Sequence, residues 1–207
     1  MEGHIGVDES GKGDFFGPLV IAACYVGPEH LAELEGVQDS KKLTDLNALR
    51  LAGIIKRICP HSVIVIMPEK YNELYLQFKN LNKLLAWGHA RSIENVLEVH
   101  PANLVISDQF ATGGAPVKAA LFELGKKVEF RSLVRAEADI AVAAASVLAR
   151  AGFLQGLERL GAQYGTKLPK GATNVIGPGK TLVRAHGAEA LPKVAKMHFR
   201  TAGQVLG

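Results

Sequence analysis

The chain has 207 residues, 48% of them hydrophobic, with a formal charge of +4 and an isoelectric point near 9.1. That is enough apolar material for one substantial core, so residues 1–207 are read as a single domain, and the mildly basic balance is compatible with a polyanionic partner. No apolar run reaches membrane-spanning length, Met1-Glu2-Gly3-His4 has no signal-peptide character, and Cys24 and Cys59 lack metal-ligand spacing. These features argue against membrane, secreted and thiolate-metal classes and leave a cytoplasmic soluble protein.

In chain order, His4 to Asp8 and Pro18 to Val26 read as two β-rich segments joined by a glycine-rich turn, resembling a hairpin. Asp39-Ser40-Lys41-Lys42 is a polar loop, and Thr44 is placed to cap a helix running to about Ile58. Ser62 to Met67 is a β-branched run stopped by Pro68. A long helix is expected from about Tyr71 to Val99, with Gly88 inside it. Asn103 to Ser107 is a strand ending on Asp108, Pro116 to Leu124 is helical, and Lys127 to Val134 is a strand. From Asp139 to Leu160 an alanine-rich helix follows. Strands alternating with helices predict an α/β fold, a mixed central β-sheet flanked by helices.

The acids carry the chemistry. Asp8 and Glu9 close one strand and Asp108 closes another, and strand ends are where α/β sheets gather ligands. Neighbours in a regular strand point to opposite faces, so Glu9 joins Asp8 only if the strand has begun to turn. A fourth acid would come from Ala136-Glu137-Ala138-Asp139. Glu137 and Asp139 are two apart and do not share a helix face, so one can look into the site while the other caps the helix. Taken singly, Asp139 reads as an N-cap. Three or four converging carboxylates repel one another, and hard divalent cations such as Mg²⁺ relieve that repulsion.

Gly6-x-x-x-x-Gly11-Lys12-Gly13 comes close to a phosphate-binding loop. However, glycine stands where a Ser or Thr would ligate Mg²⁺, a strand rather than a helix follows, and the acidic pair lies inside the loop. A nucleotide hydrolase is therefore disfavoured, and no nucleotide cofactor is expected.

The run Asp8-Glu9-Ser10-Gly11-Lys12-Gly13-Asp14-Phe15-Phe16-Gly17-Pro18 resembles the opening motif of the type 2 ribonucleases H, specifically the ribonuclease HIII branch, which is close to ribonuclease HII. Further resemblances are ordered along the chain: Asp39 to Leu43, Asn80 to Ala90, Ser107-Asp108-Gln109-Phe110, Ala136-Glu137 with Ala141 to Arg150, Leu168 to Ala172, and Lys196 to Phe199. The resemblance implies an RNase H-like fold and endonucleolytic cleavage of the RNA strand of RNA–DNA hybrids. Asp8, Glu9, Asp108 and Glu137 match the catalytic and metal-binding acids, with Asp139 a rival for the fourth because the spacing is a residue short. It also implies two Mg²⁺ or Mn²⁺ ions about 4 Å apart at the scissile phosphate, and products with 5′-phosphate and 3′-hydroxyl ends. Ser10, Gly11, Lys12 and Gly13 would lie against the nucleic acid, the backbone of Gly11 to Gly13 reading 2′-hydroxyls. Lys12, Lys41, Lys42, Lys167 and Lys170 would meet phosphates. Trp87, Phe15 and Phe16 are candidates for stacking on bases or for core positions.

Ribonucleases HIII usually carry an N-terminal substrate-binding domain, and this chain opens almost directly on its first strand, so either that domain is absent from this sequence or the protein works without it; a monomer is expected. Tyr164-Gly165-Thr166-Lys167 resembles the segment where ribonuclease HII places a junction-sensing tyrosine. Cleavage at single ribonucleotides in duplex DNA is thus the alternative activity, and a non-catalytic hybrid-binding module the alternative class.

Overall fold

The computed structural model describes residues 2–37, 43–108 and 114–207. The segments of the family-like loops at 38–42, with Lys41 and Lys42, and at 109–113 lie outside the described residues, as does the side chain of Glu137.

Five strands form one mixed sheet in the order β3-β2-β1-β4-β5. They are β1 (His4–Ser10), β2 (Leu19–Val26), β3 (His61–Ile66), β4 (Leu104–Asp108) and β5 (Glu129–Leu133). β1 and β4 run parallel, as do β4 and β5. Each residue of β2 is buried, which accounts for its unbroken apolar sequence, whereas β5 alternates exposed and half-buried residues as an edge strand does. Contacts group the residues into two compact units. One is Met1–Glu9, Ile21–Ile64 and Asn80–Ala151; the other is Ser10–Val20, Val65–Lys79 and Gly152–Gly207.

Helix α1 (Asp45–Ile58) begins as expected, the Thr44 hydroxyl accepting from the Asn47 amide at 3.2 Å. Pro68 ends the strand before it and also opens a helix, since its fixed φ and missing N–H suit the first helical turn. The single helix expected over Tyr71–Val99 is in fact two, α2 (Pro68–Phe78) and α3 (Leu81–Val99). Lys79 adopts a left-handed conformation (φ 52°), and the Asn80 side chain accepts from the Asn82 and Lys83 amides to start α3. Helix α4 (Ala115–Ala120) stops short of the expected Leu124. The buried Glu94 carboxylate takes the Leu124 and Gly125 amides, each at 2.9 Å, and holds that stretch in a 3-10 turn.

Helix α5 (Ile140–Gln163) is long and apolar enough to cross a membrane by length and composition, contrary to the expectation that no run would be. With 78% of its apolar window buried, it is a core helix. In the first unit it lies directly on β1: a Cβ at Gly6 would overlap the backbone of Ala141 and Val142. In the second unit its later turns press on the glycine-rich segment, Gly17 and Gly11 against Phe153 and Gly156 against Pro18. Short helices α6 (Ile176–His186), α7 (Leu191–Val194) and α8 (Thr201–Leu206) complete that unit, α6 resting on α8 through Gly179 and Val205. Cys24 and Cys59 are buried free thiols.

Candidate active site

The register of β1 and β4 is the first determinant of the site. Val7 pairs with Ser107, so the next residues, Asp8 and Asp108, come side by side where β4 ends, two residues before the end of β1. Asp8 faces α5, and Ser146 on that helix donates a hydrogen bond to its carboxylate. The Glu9 amide also donates to Asp8 Oδ1 at 2.8 Å. Packing around the carboxyl, the charge of Glu9 and, more weakly, the charge of Asp108 push Asp8 up to about 7, although these two hydrogen bonds act in the opposite direction. Asp108 is oriented from outside the sheet, its Oδ1 accepting from the Ala136 amide at 3.1 Å.

Glu9 lies one residue before the end of the strand at Ser10. Its Oε2 lies 3.0 Å from Nε2 of His89, a fully buried residue of α3. His89 Nδ1 lies in turn 3.2 Å from the Ser107 hydroxyl. Asp8 and Glu9 are thus electrostatically coupled while being held by different helices, Asp8 by α5 and Glu9 by α3.

The two candidates for the fourth acid separate clearly. Asp139 is the N-cap of α5: its Oδ1 accepts from the Ala141 and Val142 amides at 2.9 and 3.0 Å. Its carboxylate also meets His4 Nε2 at 2.7 Å. Burial opposes its charge, but His4 and these amides outweigh burial and hold the carboxyl below the usual range. Glu137 sits in the 3-10 turn Ala136–Ala138, directly after the residue whose amide orients Asp108.

The glycine-rich turn belongs to the second unit. Ser10 ends β1; Gly11 has φ +85°, and a Cβ there would overlap the Pro18 carbonyl oxygen, so glycine is required. At Gly13 nothing lies within 4 Å of where a Cβ would be, so no packing demands glycine there. Asp14 ties this turn to the loop carrying Lys170: its Oδ1 accepts from the Gly171 amide at 2.6 Å, and the Phe15 amide donates to the Gly171 carbonyl. Buried Lys196 clamps the other side, donating to the Asp14 and Gly17 carbonyls at 2.8 and 2.6 Å. Phe15 and Phe16 are fully buried core residues. Lys167 and Lys170 are exposed.

His89, Ser146 and Lys196 carry weight that the sequence reading did not assign them. All three fall in motifs whose chemistry alone gives no signal, since a histidine, a serine or a lysine inside an apolar run is ambiguous until its partner is known. As they stand, no three acid, histidine or cysteine side chains among the described residues close into a metal-ligating group. The donor chemistry nevertheless suits a hard divalent cation: the acids supply only oxygen, and burial together with the charges of Glu9 and Asp108 raises Asp8, a cost that such a cation offsets.

A mixed sheet of this order, flanked by helices, with acids at the ends of neighbouring parallel strands, defines a hydrolase of RNase H-like fold. The family model for ribonuclease HII matches residues 5–202. The chain is 46% identical over 210 residues to a ribonuclease HIII of Protochlamydia amoebophila, covering 99% of this chain and 68% of that protein. It is 48% identical over 208 residues to a ribonuclease HIII of Chlamydia pneumoniae, covering 98% and 70%. Among solved structures it resembles Bst-RNase HIII in complex with Mn²⁺, with a TM-score of 0.90 and 34% identity over 99% of this chain and 69% of that one. The chain belongs to the ribonuclease HII family, on the side of the ribonucleases HIII, and is a ribonuclease H endonuclease.

Proposed function

We propose that the chain is a metal-dependent ribonuclease H that cuts the RNA strand of RNA–DNA hybrids, with Asp8, Glu9, Asp108 and Glu137 holding two Mg²⁺ or Mn²⁺ ions. The observation that carries this reading is the β1–β4 register, which sets Asp8 beside Asp108 and leaves Asp8 a carboxyl pushed up by burial and by its acidic neighbours. Bst-RNase HIII was crystallised with Mn²⁺, which supports a divalent cation here. Bound cations would supply Lewis-acid stabilisation of the charge that grows on the phosphate and on the leaving 3′ oxygen.

The chain's own residues do the rest. The Ser146 hydroxyl and the Glu9 amide aim Asp8, and the Ala136 amide aims Asp108, so these carboxylates are oriented before substrate arrives. That Asp139 is engaged by the α5 cap and by His4 supports Glu137 as the fourth acid. The turn that follows Glu9 in the chain would present the backbone of Gly11, Lys12 and Gly13 to ribose 2′-hydroxyls, and the open side of Gly13 gives a sugar room to approach. Lys12 and Lys170, on loops joined through Asp14, would contact phosphates; Lys41 and Lys42 would add to them. Cleavage leaves 5′-phosphate and 3′-hydroxyl ends.

The test is to offer the protein, with Mg²⁺ or Mn²⁺, three labelled substrates: an RNA–DNA hybrid, a duplex containing one ribonucleotide, and plain duplex DNA. Internal cleavage of the hybrid with no cleavage of DNA is expected. Preference for the single ribonucleotide would mark a ribonuclease HII-like specificity, and no cleavage of either ribonucleotide-containing substrate would refute the reading.

A further inference from the structure

Helix α3 is amphipathic, yet its buried face carries a histidine. His89 is fully buried, and it reaches the sheet because the residue before it is Gly88, where a Cβ would overlap the Ile21 side chain of β2. At that closeness the imidazole bridges two strands: Nε2 lies 3.0 Å from Glu9 Oε2 on β1, and Nδ1 lies 3.2 Å from Ser107 Oγ on β4. The Ser107 hydroxyl also lies 3.1 Å from the Asp108 carbonyl oxygen. One ring thus connects the residue before the β4 acid to the second acid of β1.

The hydrogen-bond roles follow from the partners. Glu9 offers a carboxylate oxygen, so Nε2 bears the proton that it donates there. Ser107 can meet Nδ1 as a donor or as an acceptor, so the ring keeps the same orientation in its neutral and its charged forms. With its side chain only 10% exposed, Glu9 depends on protein groups rather than bulk water to set its rotamer. Buried partners that fix a ligating carboxylate typically matter nearly as much as the ligand itself.

From this geometry we infer that His89 is the positioning residue for Glu9: anchored by Ser107, it fixes the direction in which Glu9 presents its carboxylate to a divalent cation. The inference rests on the proposed role of Glu9. His89 touches no substrate; it acts through Glu9.

The test measures Mn²⁺ binding to the protein alone, by calorimetry or by the loss of the free-ion electron paramagnetic resonance signal, beside hybrid cleavage as a function of Mn²⁺. His89→Leu keeps bulk and removes the donor, while His89→Gln keeps a donor near the place of Nε2. His89→Leu is expected to weaken Mn²⁺ binding about 10- to 100-fold and to raise the Mn²⁺ needed for half-maximal cleavage in proportion. His89→Gln should restore most of that loss, and Ser107→Ala, which frees the ring, should lose part of it. Folded His89→Leu binding Mn²⁺ within about twofold of wild type would overturn the inference, as would a loss of equal size in His89→Gln. Should His89→Leu fail to fold, Ser107→Ala decides: unchanged Mn²⁺ binding overturns the inference. A wild type that neither binds Mn²⁺ nor cuts hybrid would instead sink the reading of the site itself, so the two failures are distinguishable.

Discussion

Replacing Asp8 with asparagine should inactivate the enzyme and at the same time stabilise it. In the folded chain the Asp8 carboxyl is pushed up to about 7, from an ordinary value of 3.8, by burial and by the charges of Glu9 and Asp108. The folded state therefore holds its proton more tightly than the unfolded state, and stability falls as pH rises from 3.8 through about 7, the full cost being present above that. If the whole difference were felt, the cost would be about 4 kcal/mol. Asp8 is partly exposed, and solvent screening brings the figure to about 2 kcal/mol, which for a chain of this size is a shift in Tm of about 4–8 °C. Asparagine keeps an oxygen for the Glu9 amide and the Ser146 hydroxyl and removes the charge. In EDTA at about pH 8, Asp8→Asn should melt above wild type by that amount, and the gap should close as pH falls towards about 4. Adding Mn²⁺ should raise the Tm of wild type and leave Asp8→Asn nearly unmoved. A variant no more stable than wild type at about pH 8, or a gap that ignores pH, would refute the electrostatic account of the site.

Other predictions test the frame around that carboxylate. Asp139→Ala should lose about 1 kcal/mol of stability in urea unfolding by uncapping α5, yet still cut hybrid, whereas Glu137→Gln should keep its stability and lose cleavage. The reverse pattern would make Asp139 the fourth acid. Gly6→Ala should destabilise by about 3 kcal/mol or more, because its Cβ meets the α5 backbone rather than a movable side chain; a urea midpoint close to wild type would contradict that packing. Burial holds the Lys196 ammonium down to about 7 from 10.5, so between these values the unfolded chain binds the extra proton and stability rises with pH. Relative to Lys196→Met, wild type should gain about 2 kcal/mol between about pH 7.5 and 9.5, read from urea midpoints at each pH.

The acids near the strand ends were readable because their signal is local: an apolar run that stops on a carboxylate places that carboxylate near the end of a strand. Thr44 and Asp139 were readable as caps for the same reason. The break between α2 and α3 was not, since apolar periodicity continues across it and Lys79 in the left-handed region is a rare choice for a lysine. Asn80, an ordinary capping residue, was the only hint. The end of α4 turns on Glu94, thirty residues away in the chain, and no local pattern contains it. His89 and Lys196 were hidden by the opposite problem. Polar residues within apolar stretches are read as surface or as chance until their buried partners, Glu9 with Ser107 and the carbonyls of Asp14 and Gly17, are in view. The pairing of Asp139 with His4 was not legible either, because the two residues lie far apart in the chain.

The central claim is that the acids gathered by β1 and β4 cut RNA paired with DNA. The most direct measurement is single-turnover cleavage of an end-labelled RNA–DNA hybrid in Mn²⁺ by wild type and by Asp108→Asn, with the product ends mapped. Wild type should give internal cuts with 5′-phosphate and 3′-hydroxyl ends, and folded Asp108→Asn should give none. Cleavage by Asp108→Asn at the wild-type rate, or no cleavage by wild type, would contradict it.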